Sequence, residues 1–169
     1  MEIERERFDL PRWLMGTVKA FAHKVSGREL ELLEDIPADI PAFVTGDANR
    51  LRQVLVNLIG NAVKFTERGQ VEVSVQKQWQ TDDEVGLCFA VRDTGIGIPS
   101  DKLAIIFEAF TQADNSITRR FGGTGLGLTI AHDIMLAHVG DIRLESSIEE
   151  GTLFRLVLPV RQAGAQPTA

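Results

Sequence analysis

The sequence predicts an α+β domain of two layers, in which helices cover one face of a mixed β-sheet. The first observation behind this fold class is the order of periodic segments, αβαββαββ, along the 169 residues. The second is that the helical patterns are long and amphipathic, so each helix can bury an apolar face against a sheet. A chain of this length fits one domain and buries roughly two-thirds of its unfolded surface without disulfides or metals.

The periodic segments follow one another with clear boundaries. Asp9 and Asp47 are helix caps, and Gly27 and Gly69 lie where the following turns are expected. The elements predicted in the first half are a helix from the Asp9 cap to Gly27, a strand over residues 29–34, a loop over 36–41 and a helix from the Asp47 cap to about Phe65. In the second half they are a hairpin of strands 71–79 and 85–92, a short helix over 100–110, a polar segment over 111–120, a third long helix from about Thr124 to His138, and strands over 141–146 and 152–159.

The domain boundaries follow from these elements. We expect residues 8–160 to form the domain, with residues 1–7 as a linker from a preceding domain and residues 161–169 as a disordered tail rich in Gln, Ala and Pro. The charged first seven residues lack the apolar region of a signal peptide, and no apolar run has membrane length. Membrane contact would therefore come only through other segments of the protein.

The composition excludes further classes of function. A hydrophobic content of 44% is that of an ordinary globular domain. The net charge of −6 and the lack of any lysine or arginine run argue against a nucleic-acid surface. The one cysteine, Cys88, lies within a strand pattern, so we expect a buried, reduced thiol and no disulfide within the chain.

The stretch Arg92-Asp93-Thr94-Gly95-Ile96-Gly97-Ile98-Pro99 is the first candidate site. Asp93 ends an apolar strand, and the two glycines after it let the chain turn sharply and pass close to a ligand. Ser100 can then cap a helix. Taken alone, this pattern is equally consistent with an acidic strand end followed by a flexible turn.

The second candidate is a polar stripe on the helix that follows Asp47. Its members fall within about 80° of one another at helical pitch, and they are Arg50, Gln53, Asn57, Asn61 and Lys64. Asparagine offers an oxygen that suits Mg²⁺, and lysine offers a point charge for phosphate. The alternative is an ordinary solvated helix face.

The third candidate is the glycine cluster Gly122-Gly123-Thr124-Gly125-Leu126-Gly127-Leu128 at the start of the third long helix. Free amides and the positive end of the helix dipole bind phosphate there, and glycines allow close approach. The spacing matches neither the P-loop nor the Rossmann pattern. The alternative is a flexible lead-in to a packed helix. Arg119 and Arg120 precede the cluster, in a loop that could act as a lid.

Together these stretches resemble the ATP-binding catalytic domain of sensor histidine kinases, within the group shared with gyrase, Hsp90 and MutL. DANRLRQVLVNLIGNAVKFT (47–66) resembles the N box, DTGIGIP (93–99) the G1 box, FEAF (107–110) the F box and GTGLGL (123–128) the G2 box. The resemblance covers residues 8 to 160 and implies a Bergerat-type ATP-binding fold. The run FTQADNSITRRFGGTGLGL (110–128) is most similar to hybrid kinases, which carry receiver domains downstream.

The resemblance implies a role for each matching residue. Asp93 would accept a hydrogen bond from the adenine amino group, which a carboxylate can do for adenine but not for the carbonyl of guanine. Asn61 would coordinate Mg²⁺, and Phe65 would pack on adenine. The implied nucleotide-binding set is Asn57, Asn61, Lys64, Phe65, Asp93, Gly95, Ile96, Gly97, Phe110, Gly123, Thr124, Gly125, Leu126, Gly127 and Leu128. The implied catalytic set is Asn57, Asn61, Lys64, Arg119 and Arg120.

Two departures from the family pattern stand out. Ala137-His138-Val139-Gly140 replaces the usual Met-Gly-Gly after the third long helix, away from the nucleotide. The phosphoacceptor histidine of the family, which lies on a preceding dimerisation domain, has no counterpart, because His23 and His132 both have the pattern of ordinary helix residues. The resemblance therefore implies a monomeric, cytoplasmic catalytic domain. It would use ATP and Mg²⁺ to phosphorylate a histidine on a dimerisation domain, with a receiver domain or response regulator as the next partner.

Two alternatives stay open. A catalytically silent module could bind nucleotide and regulate another kinase. A self-sufficient ATPase of the gyrase kind is disfavoured, because the residue four positions before Asn61 is Asn57, where those enzymes have a glutamate that can act as a base.

Overall fold

The computed structural model describes residues 2–96, 125–147 and 151–162. Within them a mixed β-sheet carries helices on one face, so the predicted two-layer α+β fold is confirmed. The strands are β1 (Glu6–Asp9), β2 (Leu30–Asp35), β3 (Phe43–Gly46), β4 (Gly69–Gln80), β5 (Glu84–Asp93), β6 (Asp141–Ser147) and β7 (Gly151–Gln162). The helices are α1 (Leu10–Lys19), α2 (Ala22–Val25), α3 (Ala48–Phe65) and α4 (Gly125–Ala137).

The sheet is organised around β7. In the described part of the chain the strand order is β1-β3-β7-β5-β4-β2, with β6 also paired to β7. One side of β7 runs along β5, and its other side is shared between β6 near its start and β3 at its end. Strand β2 pairs parallel with β4, and the remaining pairs are antiparallel, which makes the sheet mixed.

The core lies between one sheet face and the helices. Alternate side chains of the central strands are fully buried, among them Val71, Val73 and Val75 of β4 and Leu87 of β5. Helix α3 buries a broad apolar stripe against them: Leu51, Val54, Leu55, Leu58, Ile59 and Ala62. Every second side chain of these strands thus packs on the apolar face of α3, as the amphipathic patterns predict. Cys88 is buried with a free thiol, as expected.

The first predicted helix is wrong in one respect. It is not continuous to Gly27, because α1 ends at Lys19 and the separate short helix α2 follows. Phe21 occupies the N-cap position of α2 without a side-chain capping hydrogen bond. It is 4% exposed, and its ring lies near Gly60 of α3. Burial of this aromatic ring accompanies the break in the helix.

Two strands are missing from the prediction, and a third ends later than predicted. Strands β1 and β3 were not predicted, and β1 begins at Glu6, inside the segment expected to be a linker. Strand β7 continues to Gln162, two residues into the expected tail, because Arg161 and Gln162 pair with β3. The hairpin between β4 and β5 turns over residues 81–83 as predicted.

Some predictions concern residues beyond the described ranges. The short helix over 100–110 and the polar segment over 111–120 lie there. Among the described helices, none combines the length and apolar character needed to cross a membrane.

Candidate functional site

Asp93 is a buried carboxylate at the end of β5. Its Cα pairs with Val71 of β4 and Thr152 of β7, and the residue is 7% exposed. The Gly95 amide donates to Asp93 Oδ1 at 2.9 Å. Burial raises the pKa of the Asp93 carboxyl above its ordinary value, and hydrogen bonds from the Gly95 and Thr152 amides oppose that rise. The result is a desolvated acceptor at a fixed position.

The glycine after Asp93 is required by its surroundings. A Cβ on Gly95 would lie 2.7 Å from the Phe65 carbonyl oxygen, 2.8 Å from Thr66 Oγ1 and 3.1 Å from Asp93 Oδ1. No side chain fits there without a shift of the backbone. Gly95 thus joins the turn after β5 to the C-terminal end of α3, two stretches that the sequence analysis selected separately.

Helix α3 carries the polar stripe. Asp47 caps it by accepting from the Arg50 amide, and the helix runs without interruption to Phe65. Asn57 and Asn61 are half-buried, whereas Lys64 and Phe65 are exposed. The Lys64 ammonium lies 5.3 Å from the centre of the Phe65 ring, within the range of a cation–π contact.

The other predicted residues fall at or beyond the edge of the described structure. Gly125, Leu126, Gly127 and Leu128 form the first turn of α4, as predicted for the glycine-rich helix start. Ile96 is the last described residue of the turn after β5 and is 68% exposed. Outside the described residues lie Gly97, Phe110, Arg119, Arg120, Gly123 and Thr124.

Sequence reasoning missed three residues around Asp93. Gly151 has φ +84°, and a Cβ there would collide with the Asp93 carbonyl oxygen. Thr152, buried on β7, donates its amide to the Asp93 carboxylate. Thr66 is 0% exposed, and its Oγ1 has no hydrogen-bond partner among the described residues. The one signal in the sequence was the glycine at the start of the last predicted strand.

The described residues fit a purine nucleotide and a hard cation. A buried carboxylate can accept from an exocyclic amino group, and close backbone approach at Gly95 leaves no side chain in the way. The half-buried Asn61 supplies an amide oxygen of the kind Mg²⁺ accepts alongside phosphate oxygens and water. No cluster of three His, Cys, Asp or Glu side chains that could hold a metal occurs in residues 2–96, 125–147 and 151–162.

The chain is similar to known signal transduction histidine kinases. Residues 46–162 match the family described as histidine kinase-, DNA gyrase B- and HSP90-like ATPase. The chain is 39% identical over 163 residues to hybrid signal transduction histidine kinase L of Dictyostelium discoideum, covering 96% of this chain and 10% of that protein. It is 42% identical over 152 residues to signal transduction histidine-protein kinase BarA of Escherichia coli strain K12, covering 90% of this chain and 17% of that protein.

A solved structure is similar over nearly the whole chain. The crystal structure of full-length ShkA in complex with AMPPNP superposes with a TM-score of 0.76 at 31% identity, covering 98% of this chain and 33% of that one. The chain thus spans less than a fifth of the length of the two curated relatives named above.

Proposed function

Because the chain belongs to the family of histidine kinase-, DNA gyrase B- and HSP90-like ATPases, we propose that it is the ATP-binding catalytic domain of a sensor histidine kinase. The proposed reaction moves the γ-phosphoryl group of ATP to a ring nitrogen of a histidine on a separate dimerisation domain. The bond between the γ-phosphorus and the β–γ bridging oxygen breaks, ADP leaves, a P–N bond forms and the imidazole loses a proton.

One observation carries the proposal. The buried acceptor Asp93 and the end of the helix that bears the asparagines are brought together through Gly95. A lone carboxylate after a strand has many explanations. Here a desolvated carboxylate, which suits a nucleotide base, lies beside a helix end whose amide and ammonium groups suit the phosphates. The similarity to histidine kinases, and to ShkA in its complex with AMPPNP, supports the same ligand class.

The principal predicted residues have the following roles in this proposal. Asp93 accepts from the adenine amino group, and Phe65 packs on the base. Asn57 supports the phosphates, Lys64 neutralises their charge and Asn61 gives an oxygen to Mg²⁺. The metal ion would supply charge neutralisation at the phosphates during transfer. Arg119 or Arg120 is proposed to reach the γ-phosphate, and the amides at the start of α4 to face the phosphates.

The proposed partners follow from the relatives. The whole protein would supply a dimerisation domain that carries the phosphoacceptor histidine, and a receiver domain or response regulator would take the phosphoryl group next. A hybrid parent is favoured by the similarity to a hybrid kinase. We also propose a cytoplasmic location, since ATP is the phosphoryl donor.

The first test is calorimetry of the 169-residue chain with Mg·ATP, Mg·ADP and Mg·GTP. We expect binding of both adenine nucleotides and much weaker binding of GTP. Asp93→Asn should weaken ATP binding by about 1–3 kcal/mol, the cost of spoiling a buried charged hydrogen bond. Asp82→Asn is the control, because Asp82 is exposed in the turn between β4 and β5, at the opposite end of β5 from Asp93. Equal ATP affinity of the Asp93→Asn variant and the unmodified chain would remove Asp93 from base recognition.

The second step tests transfer. A dimerisation domain with its histidine is mixed with the chain and radiolabelled ATP. Label that is labile in acid and stable in base supports the kinase. ATP binding without such label would favour the silent regulatory module, and steady ADP release without a phosphoacceptor would favour a self-sufficient ATPase.

A further inference from the structure

Arg28, in the turn between α2 and β2, contacts the end of α3. Its Nη2 donates to the Val63 carbonyl oxygen at 3.1 Å and to the Thr66 carbonyl oxygen at 2.8 Å. Its Nη1 lies 3.5 Å from the Lys24 carbonyl oxygen. Carbonyl groups in the last turn of a helix lack partners within the helix, and a cation there also complements the helix dipole. The arginine therefore caps α3 from a segment 35 or more residues away in sequence.

The capped turn is the one that touches Gly95. The Phe65 carbonyl oxygen and Thr66 Oγ1 lie closest to the position that a Cβ on Gly95 would occupy, and the Gly95 amide in turn donates to Asp93 Oδ1. Space is so limited at this contact that a Cβ would not fit. The end of α3 is thus packed closely against the backbone of Gly95, whose amide hydrogen bond holds the Asp93 carboxylate.

We infer that Arg28 is a positioning residue for base recognition. It fixes the C-terminal turn of α3 against Gly95, and Gly95 in turn keeps the Asp93 carboxylate oriented toward the base. The guanidinium spans two carbonyl groups from one nitrogen, which a lysine ammonium cannot do with the same planar geometry. Arg28 need not touch nucleotide for this role. The inference rests on the proposed function and adds a residue that none of the four sequence boxes contains.

The matched control is Arg68. It lies two residues after Thr66, and its Nε pairs with Glu29 Oε2 at 2.9 Å, with both side chains more than 70% exposed (82% and 73%). Arg68→Ala thus removes the same charge from the same region without touching the end of α3. Exposed pairs of this kind contribute little to stability.

The experiment measures dissociation constants for Mg·ATP and for the Mg²⁺ complex of purine riboside triphosphate, which lacks the 6-amino group. Arg28→Ala is expected to raise the ATP constant about fivefold and the analogue constant less than about twofold, because only ATP uses the Asp93 carboxylate. Arg68→Ala should change neither. Arg28→Lys should recover part of the loss. The inference would be overturned if Arg28→Ala raised both dissociation constants by the same factor, or if it left the affinity for ATP unchanged.

A second readout separates this inference from the proposed function. In the nucleotide-free chain, Arg28→Ala should shift the NMR resonance of the Gly95 amide, and Arg68→Ala should not. An unmoved Gly95 amide contradicts the inference even if ATP binds. If ATP does not bind the unmodified chain, the proposed function fails and the amide shift still decides whether Arg28 positions Gly95. If Arg28→Ala does not fold, Arg28→Lys is used for both measurements. Dissociation constants and a Gly95 amide resonance equal to those of the unmodified chain would then overturn the inference.

Discussion

At the scale of single residues, burial of Asp93 lowers the stability of the fold and provides the acceptor that the proposed function needs. Its carboxylate has left water, and the two backbone amides that face it offset only part of the desolvation, so burial raises its pKa. The unfolded chain therefore releases this proton at lower pH than the native chain does. Stability from this group is fully present below the unfolded pKa and is lost as the pH rises through the folded one. The acceptor that would select adenine thus weakens the nucleotide-free fold at neutral pH.

Asp93→Asn is predicted to gain stability relative to the unmodified chain as the pH rises. The asparagine does not ionise, so the difference in free energy of unfolding should grow from about pH 4 upward and level off above the folded pKa of Asp93. Denaturant unfolding at a series of pH values, without nucleotide, measures it. Asp82→Asn, at an exposed turn position, is the control. A pH-independent difference between Asp93→Asn and the unmodified chain would show that burial imposes no such cost.

At the scale of elements, the end of α4 shows how one helix stops without its preferred residue. The Gly140 amide donates to the Met135 carbonyl oxygen at 2.8 Å, and the Val139 amide donates to that of Leu136 at 3.0 Å. This pair of bonds is a Schellman motif, which needs a left-handed residue at the position that Val139 occupies. Val139 has φ +59° and is 81% exposed. A β-branched residue is strained there.

Val139→Asn is predicted to stabilise the chain by about 1 kcal/mol. Asparagine tolerates the left-handed region, and the exposed valine gives up little packing. Thermal unfolding without nucleotide measures the gain. Leu136→Asn, a 58% exposed position in the same last turn, serves as the control and should bring no such gain. A lower melting temperature for Val139→Asn would contradict the assignment of strain to the backbone of this residue.

At the scale of the whole molecule, the N-terminal segment is tied to the same helix that ends at the site. The Glu4 amide donates to Asp47 Oδ2 at 3.0 Å, and β1 pairs with β3 over four residues. Asp47 is 3% exposed and also caps α3. Trp13 of α1 adds a hydrogen bond from its indole nitrogen to the Ala48 carbonyl oxygen at 3.1 Å. Residues from the first 13 positions of the sequence therefore fix the start of α3.

Removal of residues 1–7 is predicted to destabilise the domain by on the order of 1–3 kcal/mol. The buried Asp47 carboxylate loses the Glu4 amide and keeps its contact with Arg50, and part of β1 is lost. A chain that lacks only residues 1 and 2 keeps both features and is the control. Denaturant midpoints compare the two. If the shorter chain matched the control, these residues would act as a linker alone, as the sequence analysis expected.

Local patterns were enough to predict most of the architecture. The helical stripe from Asp47 to Phe65, the hairpin of β4 and β5, and the helix at the glycine cluster each depend on contacts within a few residues, or on a period that one segment displays by itself. For the same reason Asp93 and Gly95 could be selected from a strand end followed by glycines. The family resemblance, which rests on four such local stretches, was confirmed.

The sequence by itself determined the layers, the principal elements and the residue types at the site. Only the tertiary structure decided which segments meet: the short strands β1 and β3, the break at Phe21, Gly151 and Thr152 beside Asp93, and Arg28 on the end of α3. Four-residue strands are too short to show a period, and Arg28 and Thr66 lie 38 residues apart. Such contacts gain their free energy from partners distant in sequence, so no local pattern contains them.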